Sequence, residues 1–407
     1  KVRLLIDGEE YFGWIRAAML HARQRILLIG WDFDTRIHLL RSSPLAKVPG
    51  DEAPARLGAF ILWLNRNRPG LEVRILKWSY SIAAMLARGS MVVDLLRWSR
   101  HRRIDFKFDD HHPIGCSHHQ KLVAIDQSVA VCGGIDMTAC RWDTRRHRQV
   151  DTRREAPGGS LYPPWHDVAM MLEGEVAGAI DRLGRARWVM AGGKPLKPVR
   201  PGLDSAWPPA LRPHFENVEV GIARTRAEHG GHRRVDEVAH LFAEQIAGAK
   251  RFVYIENQYL AARVIGEAIA RRLAEPEPPE FIVVHPRSAH GWIEAQAMDP
   301  ARDELLRALG EADHAHRFHI YVPWSGEVPI YVHAKLMIVD DRILRVGSAN
   351  LNNRSLGLDS ECDVFIDCAR PGNAHAQAGI RALRHSLLAE HLGLFVQDVP
   401  ILEERHG

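Results

Sequence analysis

Residues 119–126 read HQKLVAID, and residues 333–340 read HAKLMIVD, so one octapeptide pattern occurs twice in this chain of 407 residues. The similarity continues beyond the octapeptides, because Gly-Gly-Ile-Asp at 133–136 corresponds to Gly-Ser-Ala-Asn at 347–350 with the same offset of 214 residues. A repeat with so long a period indicates tandem domains rather than a solenoid. We therefore expect two related halves that together build one composite object.

Each half also repeats one order of predicted elements, in which an amphipathic helix leads into a short apolar strand. The matched pairs are helices 9–22 and 235–249, strands 25–32 and 251–258, strands 72–76 and 280–284, and strands 104–108 and 318–322. Strands that alternate with helices of this length predict βα units around a largely buried sheet. The fold class is therefore α/β in both halves.

The boundary between the halves is predicted from a segment rich in proline and glycine. Residues 191–213 contain Gly192, Gly193 and six prolines, a composition typical of a linker. The predicted organisation is a first half over 1–190, a linker over 191–213 and a second half over 214–407, which agrees with a loose prior of about 150 residues per domain.

The charge pattern limits the classes of partner. A formal net charge of +4 allows anionic partners but does not indicate a dedicated nucleic-acid-binding protein. The repeat also matches Trp165-His-Asp167 with Glu361-Cys-Asp363. Because 48 residues separate His119 from Asp167 but 30 separate His333 from Asp363, the first half carries an 18-residue insertion, and basic residues cluster in it from Arg141 to Arg154. We expect this loop to meet an anionic substrate or a membrane surface, the alternative being a solvated loop.

The His and Lys of each octapeptide lie two positions apart, so on a strand both side chains project to the same face. A histidine can attack phosphorus, and a lysine can neutralise the non-bridging oxygens of a phosphodiester. One copy supplies half a mechanism, and the second histidine can act as general acid and base. The catalytic candidates are therefore His119 with Lys121 and His333 with Lys335.

Further candidates complete this hypothetical site. Asn350 is expected as a donor to phosphate, with Asp136 or Ser348 beside it. Glu361 in the second half and Asp151 in the first are candidates for a carboxylate that holds the Nδ1 atom of a histidine. Asp126 and Asp340 are interpreted as structural, because they point to the opposite face from the lysines and would anchor the strand to neighbouring backbone or to a basic group.

With these motifs the chain resembles the phospholipase D superfamily, and in particular the catalytic core of the eukaryotic-type enzymes that hydrolyse phosphatidylcholine. The resemblance implies two pseudo-symmetric α/β/α sandwich halves with a composite active site at their interface, His119 as nucleophile, His333 as acid and base, and no metal. The resemblance also implies further substrate-site residues, which are Asn257, Gln258, Arg141, Trp142 and His166. It implies a structural role for three glycines of the motifs, which are Gly133, Gly134 and Gly347.

The implied function is hydrolysis of phospholipids to phosphatidic acid and free headgroup, with transphosphatidylation to alcohols. The expected partners are phospholipid at a membrane or micelle surface and alcohol acceptors, with nucleic acid not expected and a monomer as the oligomeric state. No cofactor is required, although calcium could stimulate through the lipid. No apolar run reaches about 18 residues, so we expect a soluble or peripheral protein without a transmembrane segment. The cellular location stays open.

Four alternatives remain at this point. One is a catalytically inactive binding module, which the two intact His/Lys pairs disfavour. An endonuclease of the same superfamily would handle the same bond, but it should carry a continuous basic groove. A cardiolipin-synthase-like phosphatidyltransferase is disfavoured by the lack of membrane-spanning segments. A zinc-binding scaffold could use His111, His112, His118 and His119, but no Cys/His spacing completes such a site.

Overall fold

The computed structural model describes residues 1–41, 51–79, 89–200, 204–288 and 292–406. The helices are α1 (Asp7–His21), α2 (Leu57–Asn67), α3 (Ser90–Trp98), α4 (Glu175–Met190), α5 (Glu237–Ala247), α6 (Arg263–Leu273), α7 (Trp292–Ala312), α8 (Asn353–Gly357), α9 (Gln377–Leu392) and α10 (Asp398–His406). The strands up to residue 173 are β1 (Val2–Ile6), β2 (Arg25–Gly30), β3 (Glu72–Trp78), β4 (Ile104–Asp109), β5 (Leu122–Ile125), β6 (Val129–Gly133), β7 (Trp165–His166) and β8 (Val168–Glu173).

The remaining strands are β9 (Gly221–Arg226), β10 (Val235–Asp236), β11 (Phe252–Asn257), β12 (Glu280–Val284), β13 (Phe318–Tyr321), β14 (Trp324–Ser325), β15 (Val328–Pro329), β16 (Tyr331–Val332), β17 (Lys335–Val339), β18 (Ile343–Gly347) and β19 (Glu361–Asp367). Every strand and helix pair predicted from the repeat is present, with ends that differ by a few residues.

Two sheets share one topology. The first has the strand order β1-β8-β6-β5-β2-β3-β4, and the second has β9-β19-β18-β17-β11-β12-β13 with β10 added at its edge. In each sheet three neighbouring strands are parallel, β2-β3-β4 in the first and β11-β12-β13 in the second. The remaining pairs of neighbouring strands in both sheets are antiparallel. The same order of equivalent strands confirms the α/β duplication predicted from the repeated octapeptides.

The aspartate that ends each octapeptide forms a tight turn between two strands. Asp126 and Gln127 have φ of 49° and 57°, and Asp340 and Asp341 both have φ of 55°, the left-handed conformation that favours short hairpin connections. The Asp126 carboxylate accepts backbone N–H groups of residues 23–25, and that of Asp340 accepts those of residues 250–252. The expected anchoring to neighbouring backbone is confirmed.

Three apolar clusters form alternate layers with the sheets. One cluster joins the first sheet to α1, α2 and α3, and another joins the second sheet to α5 and α6. The third lies between the sheets and combines residues of both, for example Met170 and Cys132 with Val346 and Cys362, together with residues of α4 and α9. Because both sheets are buried on two faces, their strands are continuous apolar runs.

Residues between α4 and β9 carry the predicted linker. Trp207 and Leu211 are buried in the core of the first half, and Val2 pairs with Phe215, just beyond the predicted linker. Residues 201–203, which include Pro201 of the predicted linker, lie outside the described residues. The domain boundaries stay predictions. No helix in the described ranges is both long enough and apolar enough to span a membrane.

Candidate active site

The histidine of each octapeptide is placed by backbone contact with the opposite half. The N–H of His119 donates to the carbonyl of Ser360 at 3.0 Å, and the N–H of His333 donates to the carbonyl of His166 at 2.8 Å. Short parallel pairings precede both contacts, between His118 and Ser360 and between β16 and β7. The two motifs therefore enter one interface in equivalent ways.

A carboxylate of the second half holds the first histidine. His119 Nδ1 lies 3.0 Å from Glu361 Oε1 and 3.1 Å from Glu361 Oε2. The Ser348 hydroxyl donates to Glu361 Oε2 and accepts the Cys362 N–H at 3.1 Å, so it restrains the carboxylate. With Nδ1 engaged in this way, Nε2 of His119 is the ring nitrogen left for chemistry.

A carboxylate of the first half holds the second histidine. His333 Nδ1 lies 2.7 Å from Asp167 Oδ2, and the Asp167 side chain is fully buried. Gly134 makes room for this carboxylate, because a Cβ atom at that position would meet Asp167 Oδ1 at 2.1 Å. In the second half Gly347, which corresponds to Gly133 in the repeat, makes room for Asp363. The motif glycines thus have a packing role next to the site.

Asp151 was the wrong candidate for orienting a histidine. Its carboxylate accepts hydrogen bonds from the backbone and the side chain of Arg153, at distances from 2.7 to 3.0 Å. Asp167 takes the role proposed for Asp151 but acts on His333, and Glu361 acts on His119 instead of the histidine of its own half. The carboxylates are exchanged between the halves.

Both lysines are buried beneath the histidines. Lys121 Nζ donates to the carbonyl of His119 at 2.9 Å and lies 3.2 Å from Asp136 Oδ2. Lys335 Nζ donates to the carbonyl of His333 and, at 3.2 Å, to Gln258 Oε1. Each lysine therefore has its ammonium group fixed close to the histidine of the same motif.

Burial sets the protonation of the site. It lowers the pKa of His119 well below its usual value, with help from the charges of Lys121 and Lys335, and it lowers the pKa of His333 in the same way. Burial also lowers the pKa of Lys335 to about 7 and raises the pKa of Asp167 to about 7. An anion bound between these groups would favour their protonated forms.

A cavity of about 610 Å³ opens above both histidines. Asn350 lies in its wall, and its buried Oδ1 atom has no hydrogen-bond partner among the described groups. The other lining residues are Trp31, Trp78, Ser79, His112, Gly115, Cys116, Ser117, Asp136, Arg141, Trp165, Gln258, Tyr259, Asn352, Arg354, Ser355 and Asp359. The site is therefore composite.

The structure brings some predicted substrate-site residues to this wall and places others elsewhere. Asp136, Arg141 and Gln258 line it with Asn350. Four others, in the described part of the chain, lie outside it: Ser348 restrains Glu361, Trp142 belongs to the first core, His166 is buried among carboxylates, and Asn257 binds the backbone N–H groups of Tyr259 and Leu351. These four side chains contact other groups of the protein, and their role in binding substrate stays a prediction.

Trp165 and Tyr331, which the sequence did not single out, lie beside His333, together with the predicted Arg141. The Trp165 ring stacks on Tyr331 with centroids 4.7 Å apart and lies 5.1 Å from the ring of His333, while the Arg141 guanidinium lies 4.1 Å from the Trp165 centroid. Trp165 and Asp167 flank His166 in a motif that the sequence did show. This motif matches residues 361–363, which include the candidate Glu361, and that match could have identified Asp167 as a second candidate carboxylate.

The basic insertion is directed largely inward. Arg145 bonds to Glu390 and to the Ser386 carbonyl, and Arg154 is buried against Asp143. Arg141 is the member that reaches the cavity wall, and Arg146 and Arg148 remain exposed. The expectation of a loop devoted to an anionic surface was wrong for the buried members, because they neutralise carboxylates at the interface of the halves.

His118 and His119 also point to different partners. His118 Nε2 lies 3.0 Å from Asp109 Oδ1, and its Nδ1 lies 2.9 Å from the Ser360 hydroxyl, whereas His119 is bound to Glu361. Within the described residues these two rings therefore do not converge on one centre, which argues against the zinc-binding scaffold.

Comparison with known proteins gives one consistent result. Residues 290–400 match the family model described as "Phospholipase D". The chain is 25% identical to "Phospholipase D A" of Dictyostelium discoideum, over 90% of this chain and 33% of that protein. It is 24% identical to "Phospholipase D alpha 1" of Carica papaya, over 93% and 63% of the two chains. The chain thus spans between one third and two thirds of the length of these relatives.

Among solved structures, the fold is similar to that of phosphatidylserine synthase from Haemophilus influenzae Rd KW20. The TM-score is 0.60 at 14% sequence identity, and the match covers 93% of this chain and 86% of that one. At this identity the similarity concerns the fold. It extends over both halves and supports the two-sheet architecture.

Proposed function

This chain belongs to the phospholipase D superfamily, and from that premise we propose that it hydrolyses phospholipids to phosphatidic acid and a free headgroup. The observation that carries the proposal is the pairing of two histidines in one cavity, each with Nδ1 bound to a carboxylate. This arrangement leaves two Nε2 atoms for a phosphodiester, and two such atoms are what a two-step displacement requires.

In the first step, Nε2 of His119 attacks phosphorus and the bond from phosphorus to the headgroup oxygen breaks. His333 gives its proton to that oxygen, and a phosphatidyl group remains on His119. The lysines and the Asn350 amide would stabilise the charge on the non-bridging oxygens. Bound phosphate also favours the protonated forms of His333 and Lys335, which burial alone disfavours.

In the second step, His333 takes a proton from water, whose oxygen attacks phosphorus while the bond to His119 breaks. The products are phosphatidic acid and the original histidine. An alcohol that enters in place of water gives a phosphatidyl alcohol, so the same site has transphosphatidylation capacity. Hydrolysis and transfer differ only in the acceptor.

The test of the function is incubation with mixed phospholipids in the presence of ethanol, with nicking of a supercoiled plasmid measured in parallel. We expect phosphatidylethanol and phosphatidic acid and no nicking. Nicking without release of either lipid product would favour the endonuclease and overturn the proposal. A Lys335→Met variant, which has lost one phosphate-binding charge, serves as the inactive control.

We predict a pH effect that originates in Lys335. Since its pKa lies near 7 in the free enzyme and the ammonium form must bind phosphate, kcat/KM should show a descending limb near pH 7 from Lys335, in addition to any fall at lower pH caused by deprotonation of His333. The fall in kcat should begin at higher pH, because bound phosphate raises the pKa. The measurement uses short-chain phosphatidylcholine, whose phosphate and choline do not titrate in this range.

The matched control for this prediction is Lys335→Arg, since a guanidinium stays protonated across the range. Its kcat/KM should lack the descending limb near pH 7, whatever its absolute value. If kcat/KM falls at the same pH in the wild type and in Lys335→Arg, a group other than Lys335 causes the fall.

We also propose that the chemistry needs no cofactor, because each role is filled by His, Lys, Asn and carboxylate groups. After a brief treatment with EDTA, the protein should keep most of its activity on a soluble short-chain substrate. An effect of calcium on the activity toward vesicles would reflect lipid packing. Complete loss of activity on the soluble substrate, restored by one divalent ion, in protein whose thermal unfolding is unchanged by the treatment, would falsify the metal-free chemistry.

A further inference from the structure

A second group of ionisable side chains lies buried outside the cavity, at the interface of the halves. It consists of Asp7 at the start of α1, His147 in the insertion, His166 in β7 and Glu390 on α9. Asp7 and His166 are fully buried, His147 is 2% exposed and the Glu390 side chain is 1% exposed. We call these four residues the interface cluster. None of them has a role in the proposed phosphodiester chemistry.

The ligand-type atoms of the interface cluster converge on one point. His147 Nε2 lies 3.4 Å from Asp7 Oδ2 and 2.9 Å from Glu390 Oε1, and His166 Nδ1 lies 3.0 Å from Asp7 Oδ1 and 3.1 Å from Glu390 Oε1. One atom from each residue can be chosen so that all four lie within 4.8 Å of one another. A tetrahedral ion with bonds of about 2.0–2.1 Å separates its ligands by roughly 3.3 Å.

Two of these atoms are close to their neighbours without a hydrogen bond. His166 Nδ1 and Asp7 Oδ2 are buried and have no hydrogen-bond partner among the described groups, although oppositely charged or polar atoms lie within 3.4 Å. Short separations with poor hydrogen-bond geometry are the arrangement expected when lone pairs point to a common centre. Buried polar atoms of this kind call for a partner.

Both histidines are also held on their outer side by carboxylates. His147 Nδ1 lies 3.0 Å from Asp143 Oδ2, and His166 Nε2 lies 2.8 Å from Glu256 Oε2. A histidine that binds a metal usually gives its other ring nitrogen to a carboxylate or carbonyl, which fixes the ring and its tautomer. The interface cluster has this outer shell at both imidazoles.

The charged groups around the interface cluster have a net negative charge that a cation would balance. Asp7, Asp143, Glu256 and Glu390 supply four negative charges, and the arginines bonded to this group, Arg145 to Glu390 and Arg154 to Asp143, supply two positive charges. A third imidazole, that of His391, lies 3.0 Å from Glu256 Oε1 and adds a positive charge only when it is protonated. One divalent ion with two neutral histidines would balance the remainder. Without an ion, the same balance needs an extra proton on each of two imidazole rings.

We propose that Asp7, His147, His166 and Glu390 bind one divalent first-row metal ion, with zinc as the first choice because two imidazoles and two carboxylates in a closed four-ligand set suit it. The ion would be structural. It joins three segments of the first half to α9 of the second, and His166 directly precedes Asp167, which holds His333. The ion therefore secures the strand that orients the second catalytic histidine, and it takes no part in the phosphoryl transfer.

The experiment measures metal in the full chain, without a histidine tag and purified without chelators. We expect about one equivalent of zinc per chain by mass spectrometry of the metal. Protein produced in cobalt medium should show the intense visible absorption of four-coordinate Co²⁺. His147→Ala should reduce the bound metal at least tenfold. The matched control is His285→Ala, which removes another buried histidine with an unpartnered Nε2, and it should keep the metal.

The wild-type measurement stands even if a variant fails to fold. Less than a tenth of an equivalent of metal after incubation with Zn²⁺ or Co²⁺, together with ¹⁵N NMR signals of two doubly protonated imidazoles, would replace the metal site by an ion-pair cluster and overturn the proposal. Unchanged zinc in folded His147→Ala would also overturn it. The ethanol assay is scored separately, so either result leaves the proposed function to its own test.

Discussion

His119→Ala and His333→Ala are each expected to lower kcat for phospholipid hydrolysis by roughly 10⁴-fold or more, since residues that act as one unit lose nearly the full effect together. His119→Ala removes the atom that attacks phosphorus, and His333→Ala removes the proton donor for the headgroup oxygen and the base for water. The measurement is release of phosphatidic acid from short-chain phosphatidylcholine. The double variant should be scarcely slower than either single one.

Folding is checked by thermal unfolding, because both side chains bind buried carboxylates. His285→Ala is the control for loss of a buried histidine outside the cavity, and it should lower stability while keeping most of kcat. If either His119→Ala or His333→Ala retains more than a few per cent of activity, the two histidines do not form one composite site.

The same positions also separate the two roles. In His333→Asn, a substrate with a good leaving group should still form the adduct, because departure needs little protonation, while hydrolysis lacks its base. Peptide mapping after acid quenching should then find the phosphatidyl group on His119. An adduct on His333 in the His119→Asn protein, with none on His119, would reverse the roles but keep the two-histidine mechanism.

Asp167→Asn is expected to lower kcat by roughly 10³- to 10⁴-fold, the order of loss known when a buried carboxylate that orients a catalytic histidine becomes an amide. The amide can present its NH₂ group to Nδ1 of His333 and thereby favour the wrong tautomer. Because Asp167 acts through His333, the loss should shrink on a substrate whose leaving group needs little protonation. Comparing rates for choline and p-nitrophenol leaving groups measures this difference.

Asp151→Asn is the matched control, since it makes the same chemical change at the carboxylate that the sequence suggested for this role. Its carboxylate binds Arg153, so we expect kcat to change little and stability to fall slightly. Equal losses in the two variants, or a loss in Asp167→Asn that is the same for both leaving groups, would contradict the positioning role of Asp167.

The repeat made much of this fold predictable. Two octapeptides with one offset indicated two related halves, and the short apolar runs around them placed β2, β3, β11 and β12 nearly to the residue. These predictions succeed because strand and helix periodicity is a local property of the chain. The structural role of Asp126 and Asp340 was also predictable, since the alternation along a strand separates them from the lysines.

The partners of the histidines could not be predicted in this way. Asp167 and His333 lie 166 positions apart, and Glu361 and His119 lie 242 apart, and no spacing rule relates them. The repeat itself was misleading, because it aligns Asp167 with Asp363, which binds Arg345 and the Ser348 N–H. Equivalent positions in the two halves therefore have different roles: Asp167 binds a histidine of the site, and Asp363 binds an arginine and a backbone N–H group.

The insertion shows a second limit of composition. Its arginines suggested an outward-facing charged loop, but Arg154 binds the nearby Asp143 and Arg145 binds Glu390 of the other half. A charged side chain can be buried at low cost only where a group of opposite charge lies next to its buried position. That counter-charge is supplied by Asp143, nearby in sequence, and by Glu390, which is 245 residues away from Arg145.

The exchange of carboxylates between the halves has a consequence for how this chain can change over generations. A recombination event that replaced one half with that of a distant relative would bring a histidine to a foreign carboxylate, so both strands would have to arrive in register for activity to survive. Duplication usually frees one copy to drift. Here each copy keeps the other under selection, and the pair is inherited as a single functional unit.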